Sequence, residues 1–181
     1  MAEINHLKDK LQHQATHDVL TGLYNRRFLE EQAEKVFTDF TNSPISILMI
    51  DIDHFKKVND KFGHKTGDDV LQLLAKVMTD ERDNNDIVCR YGGEEFLILL
   101  PHHPSEQGYQ KAEHIRIQYE REVAARFPEA KENSISIGLA TSPNNGISFD
   151  AAYQAADKAL YAAKHSGRNR TIMADATPKK I

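Results

Sequence analysis

The chain has little cysteine: Cys89 stands alone among 181 residues. No disulfide can form within it, and the residue's place inside an apolar run marks it as a small buried hydrophobe rather than a nucleophile. No apolar stretch is long enough to span a bilayer and no secretory signal opens the chain, which points to the cytoplasm. A basic excess is also missing, since 23 Lys and Arg stand against 27 Asp and Glu for a formal net charge of −4. That is the wrong field for non-specific nucleic-acid binding. The nine histidines include no HExxH and no Cys/His spacing, which removes the usual zinc sites. His102 and His103, in a Pro-flanked loop, read as solvent-exposed. There is no internal repeat and no low-complexity tract. What is present is the composition of one globular domain, 40% apolar and 28% charged, long enough to bury a core.

Residues 1–15 read as a polar linker helix with a thin apolar seam at Ile4, Leu7 and Leu11, a 3-then-4 spacing that suits a coiled coil. A Thr-Gly turn follows, and Asn25 is placed to cap a helix running to about Phe40. After the Asn-Ser-Pro break, ISILMI (45–50) is a continuous apolar run ending at Asp51 and reads as a fully buried central strand. Phe55, Val58 and Phe62 line one face of a helix over 54–62. A loop, GHKTG (63–67), leads into a second helix that turns Val70, Leu73, Leu74 and Val77 inward. DIVCRY (86–91) and FLILL (96–100) read as the strands of a hairpin. A long charged helix over 105–127 turns Ile115, Tyr119 and Val123 inward, and SISIGLA (134–140) alternates like a strand. Ser148 caps an Ala-rich helix over 149–164 that Gly167 ends, and RTIM (170–173) is a last strand. This irregular order around one hairpin gives an α/β (α+β) sandwich on a mixed sheet, not a βαβ repeat. The domain spans 16–173, between the linker helix and a polar tail at 174–181.

The tip of the hairpin is the unusual feature. Gly92-Gly93-Glu94-Glu95-Phe96 places two carboxylates where a plain hairpin carries Asn-Gly. The glycine pair tolerates positive φ and lets a backbone or phosphate approach closely. Asp51 ends the buried strand, so its carboxylate emerges at the sheet edge as a candidate metal ligand, while Asp53 is better placed to cap the helix that begins at His54 or to support that ligand from behind. With the hairpin beside the 45–51 strand, Glu94 comes close to Asp51. Two carboxylates without a basic neighbour repel, and a divalent cation resolves the conflict. Hard oxygen ligands without Cys or His select Mg²⁺ or Mn²⁺. Lys56 and Asn59, three apart on one helix, share a face that presents a cation and an amide to a nucleotide, against the plainer reading of two solvated polar residues. Asp68 in a helix's first turn, and Lys164 and Arg168 at a helix end, each have a plain reading too, as partners of the helix dipole.

Four stretches in order, DVLTGLYNRR (18–27), DIDHFKKVNDKFGHKTGD (51–68), YGGEEF (91–96) and YAAKHSGRN (161–169), resemble the motifs of the GGDEF family, the diguanylate cyclases. The resemblance covers about residues 16–173 and implies a nucleotidyl-cyclase-like mixed sheet flanked by helices. It implies the condensation of two GTP into cyclic di-GMP with release of two pyrophosphates. It implies that a homodimer is required for that catalysis, since one domain would bind one GTP. It further implies Mg²⁺ (or Mn²⁺) held by Asp51, Glu94 and the carbonyl of Ile52. Glu94, accepting the 3′-hydroxyl proton, and Lys56, stabilising phosphate charge, are the implied catalytic pair. By the same resemblance Asn59 and Asp68 would read guanine with His64 and Phe55 in the same pocket, Gly92 and Gly93 would leave room for the nucleotide, and Lys164 and Arg168 would hold the terminal phosphates. An upstream sensor domain is an implied partner, in a bacterial cytoplasm. Two other readings compete: a catalytically inactive GTP-binding or protein-interaction module, disfavoured by the intact charged set, and a synthase that takes ATP with GTP, disfavoured by Asp68 because adenine has no N1–H. One departure stands out. Many members carry a product-inhibition motif RxxD; here it reads DNND, with Asp83 in the arginine position and Arg82 one residue out of register. That predicts a site without its guanidinium fork.

Overall fold

The computed structural model of the chain describes Ile4, Lys10, Leu11 and residues 13–175. Leu7 of the expected linker seam and most of the expected tail lie outside the described residues. In chain order the elements are β1 (Tyr24–Asn25), α1 (Arg26–Thr38), β2 (Ile45–Ile52), α2 (Phe55–Phe62), α3 (His64–Asp80), β3 (Ile87–Arg90), β4 (Glu95–Leu100), α4 (Ser105–Arg126), β5 (Ile135–Ser142), α5 (Phe149–His165) and β6 (Thr171–Met173). The six strands form one mixed sheet in the order β1-β3-β4-β2-β5-β6. The outer pairs β1–β3 and β5–β6 are parallel and the three inner pairs antiparallel.

The apolar run of β2 is explained by its place. It lies between β4 and β5, and helices cover both of its faces, so neither set of alternating side chains meets water. Ile47 and Met49 pack with Leu29 and Ala33 of α1 and Ala152 and Ala156 of α5. Leu48, Ile50 and Ile52 pack with Val58 of α2, Val70 and Leu74 of α3, and Ile115 and Tyr119 of α4. β5 is likewise buried at all eight residues, so its expected alternation separates two cores, not core from solvent. The alanines of α5 have a steric cause. A Cβ on Gly138 of β5 would lie 2.1 Å from the Ala156 carbonyl and 2.3 Å from the Leu160 nitrogen. Helix backbone therefore rests directly on sheet backbone, and only small residues permit that approach. Among the described residues no helix is long and apolar enough to cross a membrane.

Several expectations need correction in detail. β1 is two residues long, too short for any periodic signal, and it places Asn25 as both strand residue and cap: its side chain accepts the Phe28 N–H at 3.0 Å. α1 stops at Thr38, because Asp39 caps a separate 3₁₀ turn at Phe40–Asn42. GHKTG is not a loop. Gly63, at φ 86°, takes the whole change of direction, and α3 starts at the next residue. Gly167 ends α5 at φ 117°, as its sequence position predicts.

Candidate active site

Strand parity decides which side of the sheet Asp51 serves. It shares the face of Ile47 and Met49, the face on which α5 lies, and the last turn of α5 delivers Lys164. The ammonium is 2.8 Å from the Asp51 carboxylate. Asp51 is only 5% exposed, and burial pushes its carboxyl up to about 6 in spite of Lys164, with Glu94 and Glu95 adding to the rise. One cation does not balance the acid gathered at this strand end. The sequence reading had two carboxylates converging without a basic neighbour; the structure supplies that neighbour from the far end of the chain.

The signature turn is pinned from three sides. Asp51 faces Glu95 across the β2–β4 ladder, and the Ile52 N–H donates to the Glu94 carbonyl at 3.3 Å. The N–H groups of Tyr91 and Gly92 both donate to the Glu95 carbonyl, at 2.8 and 3.1 Å. Arg90 closes the third side: Nε and Nη2 donate to the Gly93 carbonyl at 3.0 and 2.8 Å, while Nη1 reaches both oxygens of Asp18 at 3.2 Å. Burial opposes the ionisation of Asp18, but hydrogen bonds from Thr21 and the Arg90 charge hold its pKa below the usual carboxylate value. Neither Gly92 nor Gly93 has a positive φ, so the turn uses only the missing side chains. Around Gly93 an added Cβ would meet nothing within 4 Å, leaving that backbone open to a ligand.

Asp53 does not cap α2. That position belongs to His54, in a left-handed conformation (φ 54°) with no capping side-chain bond. The Asp53 carboxylate turns instead into the protein, where it is 3% exposed. It accepts from Ser134 Oγ at 2.6 Å, Ser136 Oγ at 2.7 Å and the Asn169 N–H at 3.1 Å.

The remaining expected residues surround this centre. Phe55 is half-buried, Lys56 exposed and Asn59 half-buried on α2; His64 and Asp68 are exposed on α3. Gly67 brings the two helices together, because a Cβ there would lie 1.8 Å from Asn59 Oδ1 and 3.3 Å from the Phe55 ring. Asn59 is thereby seated against α3 one residue from Asp68. The side chains of Lys56, His64 and Asp68 form no hydrogen bond or ion pair with another described residue. Arg168, half-buried after α5, lies near enough to His54 to add to the lowering of that imidazole's pKa by burial.

Sequence reasoning missed Arg90, Gly67 and the inward role of Asp53. A glycine inside a helical pattern is a known mark of close approach and signals Gly67. Nothing local signals the other two, whose partners lie on distant elements.

Among the described residues, the trio of acid and imidazole groups close enough to hold a metal ion is Asp83, Asp86 and His103, at the start of β3 and away from the signature turn. His103 is therefore not the solvent-exposed residue expected; its ring is 3.4 Å from Asp83 and 2.8 Å from the Pro101 carbonyl. A cation already serves this trio. Lys111 of α4 bonds Asp83 at 2.7 Å and Asp86 at 2.5 Å, and although burial opposes its charge, these two acids raise its pKa. A groove of about 680 Å³ lies between α1 and α5, lined by Phe37, Tyr91, Phe149 and Tyr153 among others; Asp51, Glu94 and Glu95 do not line it.

Known proteins resemble this chain in sequence and fold. A family model described as "Diguanylate cyclase, GGDEF domain" matches residues 15–170. Diguanylate cyclase DosC of Escherichia coli K12 is 40% identical over 161 residues, which cover 87% of this chain and 35% of that protein. The chain thus spans about a third of that relative's length. The coiled coil and GGDEF domain of DgcB from Caulobacter crescentus, solved in complex with c-di-GMP, superposes with a TM-score of 0.82 at 31% identity, covering 96% of this chain and 94% of that one. The active GGEEF domain of a diguanylate cyclase from Vibrio cholerae gives 0.75 at 34% identity, covering 84% and 98%.

Proposed function

The chain belongs to the GGDEF-domain family of diguanylate cyclases, and from that premise we propose that it condenses two GTP into cyclic di-GMP with release of two pyrophosphates. The observation that carries the proposal is the meeting of Asp51, Lys164 and the signature turn at one end of β2. The DgcB domain was solved with c-di-GMP and the Vibrio domain is an active GGEEF domain, which supports the same reading here.

The donor set suits a hard divalent cation. Asp51 and Glu94 offer only oxygen, and burial, with a smaller contribution from Glu94 and Glu95, raises the Asp51 carboxyl, which a bound cation would return to the charged form. Asp51, Glu94 and the Ile52 carbonyl would hold Mg²⁺ or Mn²⁺, which when bound activates the attacking hydroxyl and steadies the leaving pyrophosphate. The rest of the work is positioning and charge, as phosphoryl transfer requires. Glu94 takes the proton of the 3′-hydroxyl. The 3′-oxygen bonds to the α-phosphorus of the second GTP as the bond from that phosphorus to the bridging oxygen breaks, and pyrophosphate leaves. Lys56, free in solvent, opposes the charge that develops on the phosphates. Lys164 and Arg168 stand on the side of the terminal phosphates. Asp68 accepts from guanine N1–H and the 2-amino group, beside Asn59, with His64 and Phe55 lining the same pocket. Gly92 and Gly93 leave the nucleotide room. Each domain presents one such set, so two domains face each other and the homodimer is part of the mechanism. The proposed setting is the cytoplasm, with a sensor domain as the upstream partner.

Asp51→Asn and Glu94→Gln test the proposal directly. Each should abolish cyclic di-GMP formation from GTP and Mg²⁺ while the far-ultraviolet spectrum stays that of the parent and GTP binding survives in part. Full activity in either variant removes that carboxylate from the mechanism.

A further inference from the structure

We propose that Asp53 is a positioning residue: its buried carboxylate locks the Arg168–Asn169 turn onto the strand end that carries Asp51, and so fixes where Arg168 meets the phosphates. The proposal rests on the reading of this centre as a GTP site. The turn it holds is one that the chain does not favour. Gly167, Arg168 and Asn169 have φ values of 117°, 62° and 45° in succession, and only the first is a glycine. Two adjacent side-chain-bearing residues in the left-handed region persist only where surrounding contacts over-determine them.

Those contacts are present. The Asn169 N–H donates to Asp53 Oδ2 at 3.1 Å, and Arg116 Nη1 donates to Asn169 Oδ1 at 2.8 Å. The Arg168 N–H donates back to the Ala163 carbonyl at 3.0 Å, and Arg170 Nε donates to the Arg168 carbonyl at 2.9 Å. Asp53 is the member of this set that connects to the catalytic strand. It follows Asp51 by two residues, and its own N–H donates to the Ser134 carbonyl at 2.8 Å. Its carbonyl accepts from Asn133 Nδ2 at 2.8 Å, and Asn133 is held in turn by the hydroxyl of Tyr119. Ser134, just before β5, and Ser136 within it fix the two carboxylate oxygens. The acid therefore bridges the end of β2, the start of β5 and the turn after α5, and turns away from the helix terminus it precedes in sequence.

A double-mutant cycle in the whole chain tests this, read by calorimetry with 3′-deoxy-GTP and Mg²⁺, a ligand that lacks the attacking hydroxyl. Asp53→Ala and Arg168→Ala should each weaken binding about tenfold, and together no more than either alone, because both remove the same contact. Asp53→Ala and Lys56→Ala should multiply independently. Asp53→Asn retains an acceptor for Asn169 and a donor for Ser136, and should bind within about threefold of the parent. Independent losses in Asp53→Ala and Arg168→Ala, or an Asp53→Asn variant as damaged as Asp53→Ala, overturn the proposal. If Asp53→Ala loses its cooperative melt, Ser134→Ala/Ser136→Ala frees the acid from β5 instead and carries the same expectation against Arg168→Ala. Failure of the parent chain to bind 3′-deoxy-GTP at all would sink the GTP reading and this proposal with it, whereas tight parental binding with independent losses sinks this proposal alone.

Discussion

At the scale of single residues, Asp51 shows how burial and charge are set against each other for use. Burial pushes its carboxyl up to about 6 in the folded chain, against about 3.9 for an unfolded aspartate. Between those values the folded state holds a proton that the unfolded state has lost. This group's contribution to stability is therefore greatest below pH ~4 and declines as pH rises through about 6. Thermal melts of the metal-free protein should show that decline, and Asp51→Asn should flatten it and melt no lower than the parent at pH 7. A variant that melts well below the parent at pH 7 would mean that the Lys164 pair stabilises the charged acid outright. Turnover should instead rise with pH, since the ion needs the carboxylate, and the rise should move to lower pH as Mg²⁺ is increased, because cation and proton compete for the same group. Base choice is the second prediction at this scale. Asp68→Ser should narrow the preference for GTP over ATP in competition binding, because adenine offers the carboxylate neither an N1–H nor a 2-amino donor; an unchanged ratio would place guanine recognition elsewhere. The approach of Asp51 to the signature turn was legible in the sequence, from one buried strand and one hairpin. Its ion pair with Lys164 was not, because no local pattern ties a strand end to a helix that follows it by most of the domain.

Elements transmit these residues' positions. The hairpin is legible from its two apolar runs, yet its rigidity depends on Arg90, which joins the Gly93 carbonyl to Asp18. The parallel pairing of β1 with β3 sets Asn25 opposite Arg90 and makes that reach short. Arg90→Met should keep the helix content and lower the turnover number more than it raises the KM for GTP; an unaltered turnover number would show that the turn holds without its clamp. The long strongly patterned elements, β2, α4 and α5, follow from periodicity and capping. The two-residue β1, the helical GHKTG segment and the inward turn of Asp53 do not, because tertiary pairing decides them. The segment before β3 bears on regulation. Asp86 is buried, accepts the Asp83 N–H at 2.8 Å and shares Lys111 with Asp83, while Arg82 is exposed. Asp83 and one oxygen of Asp86 share Lys111, the other Asp86 oxygen is buried without a partner among the described residues, and the segment offers a phosphate no cationic fork. Calorimetry with initial rates should find weak cyclic di-GMP binding and little inhibition. Tight binding that Asp86→Ala or Arg82→Ala abolishes would show that a product site survives.

Over the whole molecule, the sheet order brings the hairpin, the end of β2 and the last turn of α5 to one region, with α2 and α3, the helices proposed to read guanine, packed on the other face. A single copy places one 3′-hydroxyl and one α-phosphate on the same nucleotide, which cannot reach each other in the sense the product demands. Specific activity should therefore rise with protein concentration in dilute solution and level off as the dimer saturates; a value independent of concentration far below the dimer's dissociation constant would contradict the two-domain geometry. The measurement that bears most directly on the central claim is incubation of the chain with GTP and Mg²⁺ and identification of the product by mass spectrometry. The account predicts cyclic di-GMP with two pyrophosphates released per molecule formed. Unchanged GTP, or a product that incorporates adenine when ATP is also supplied, would contradict it.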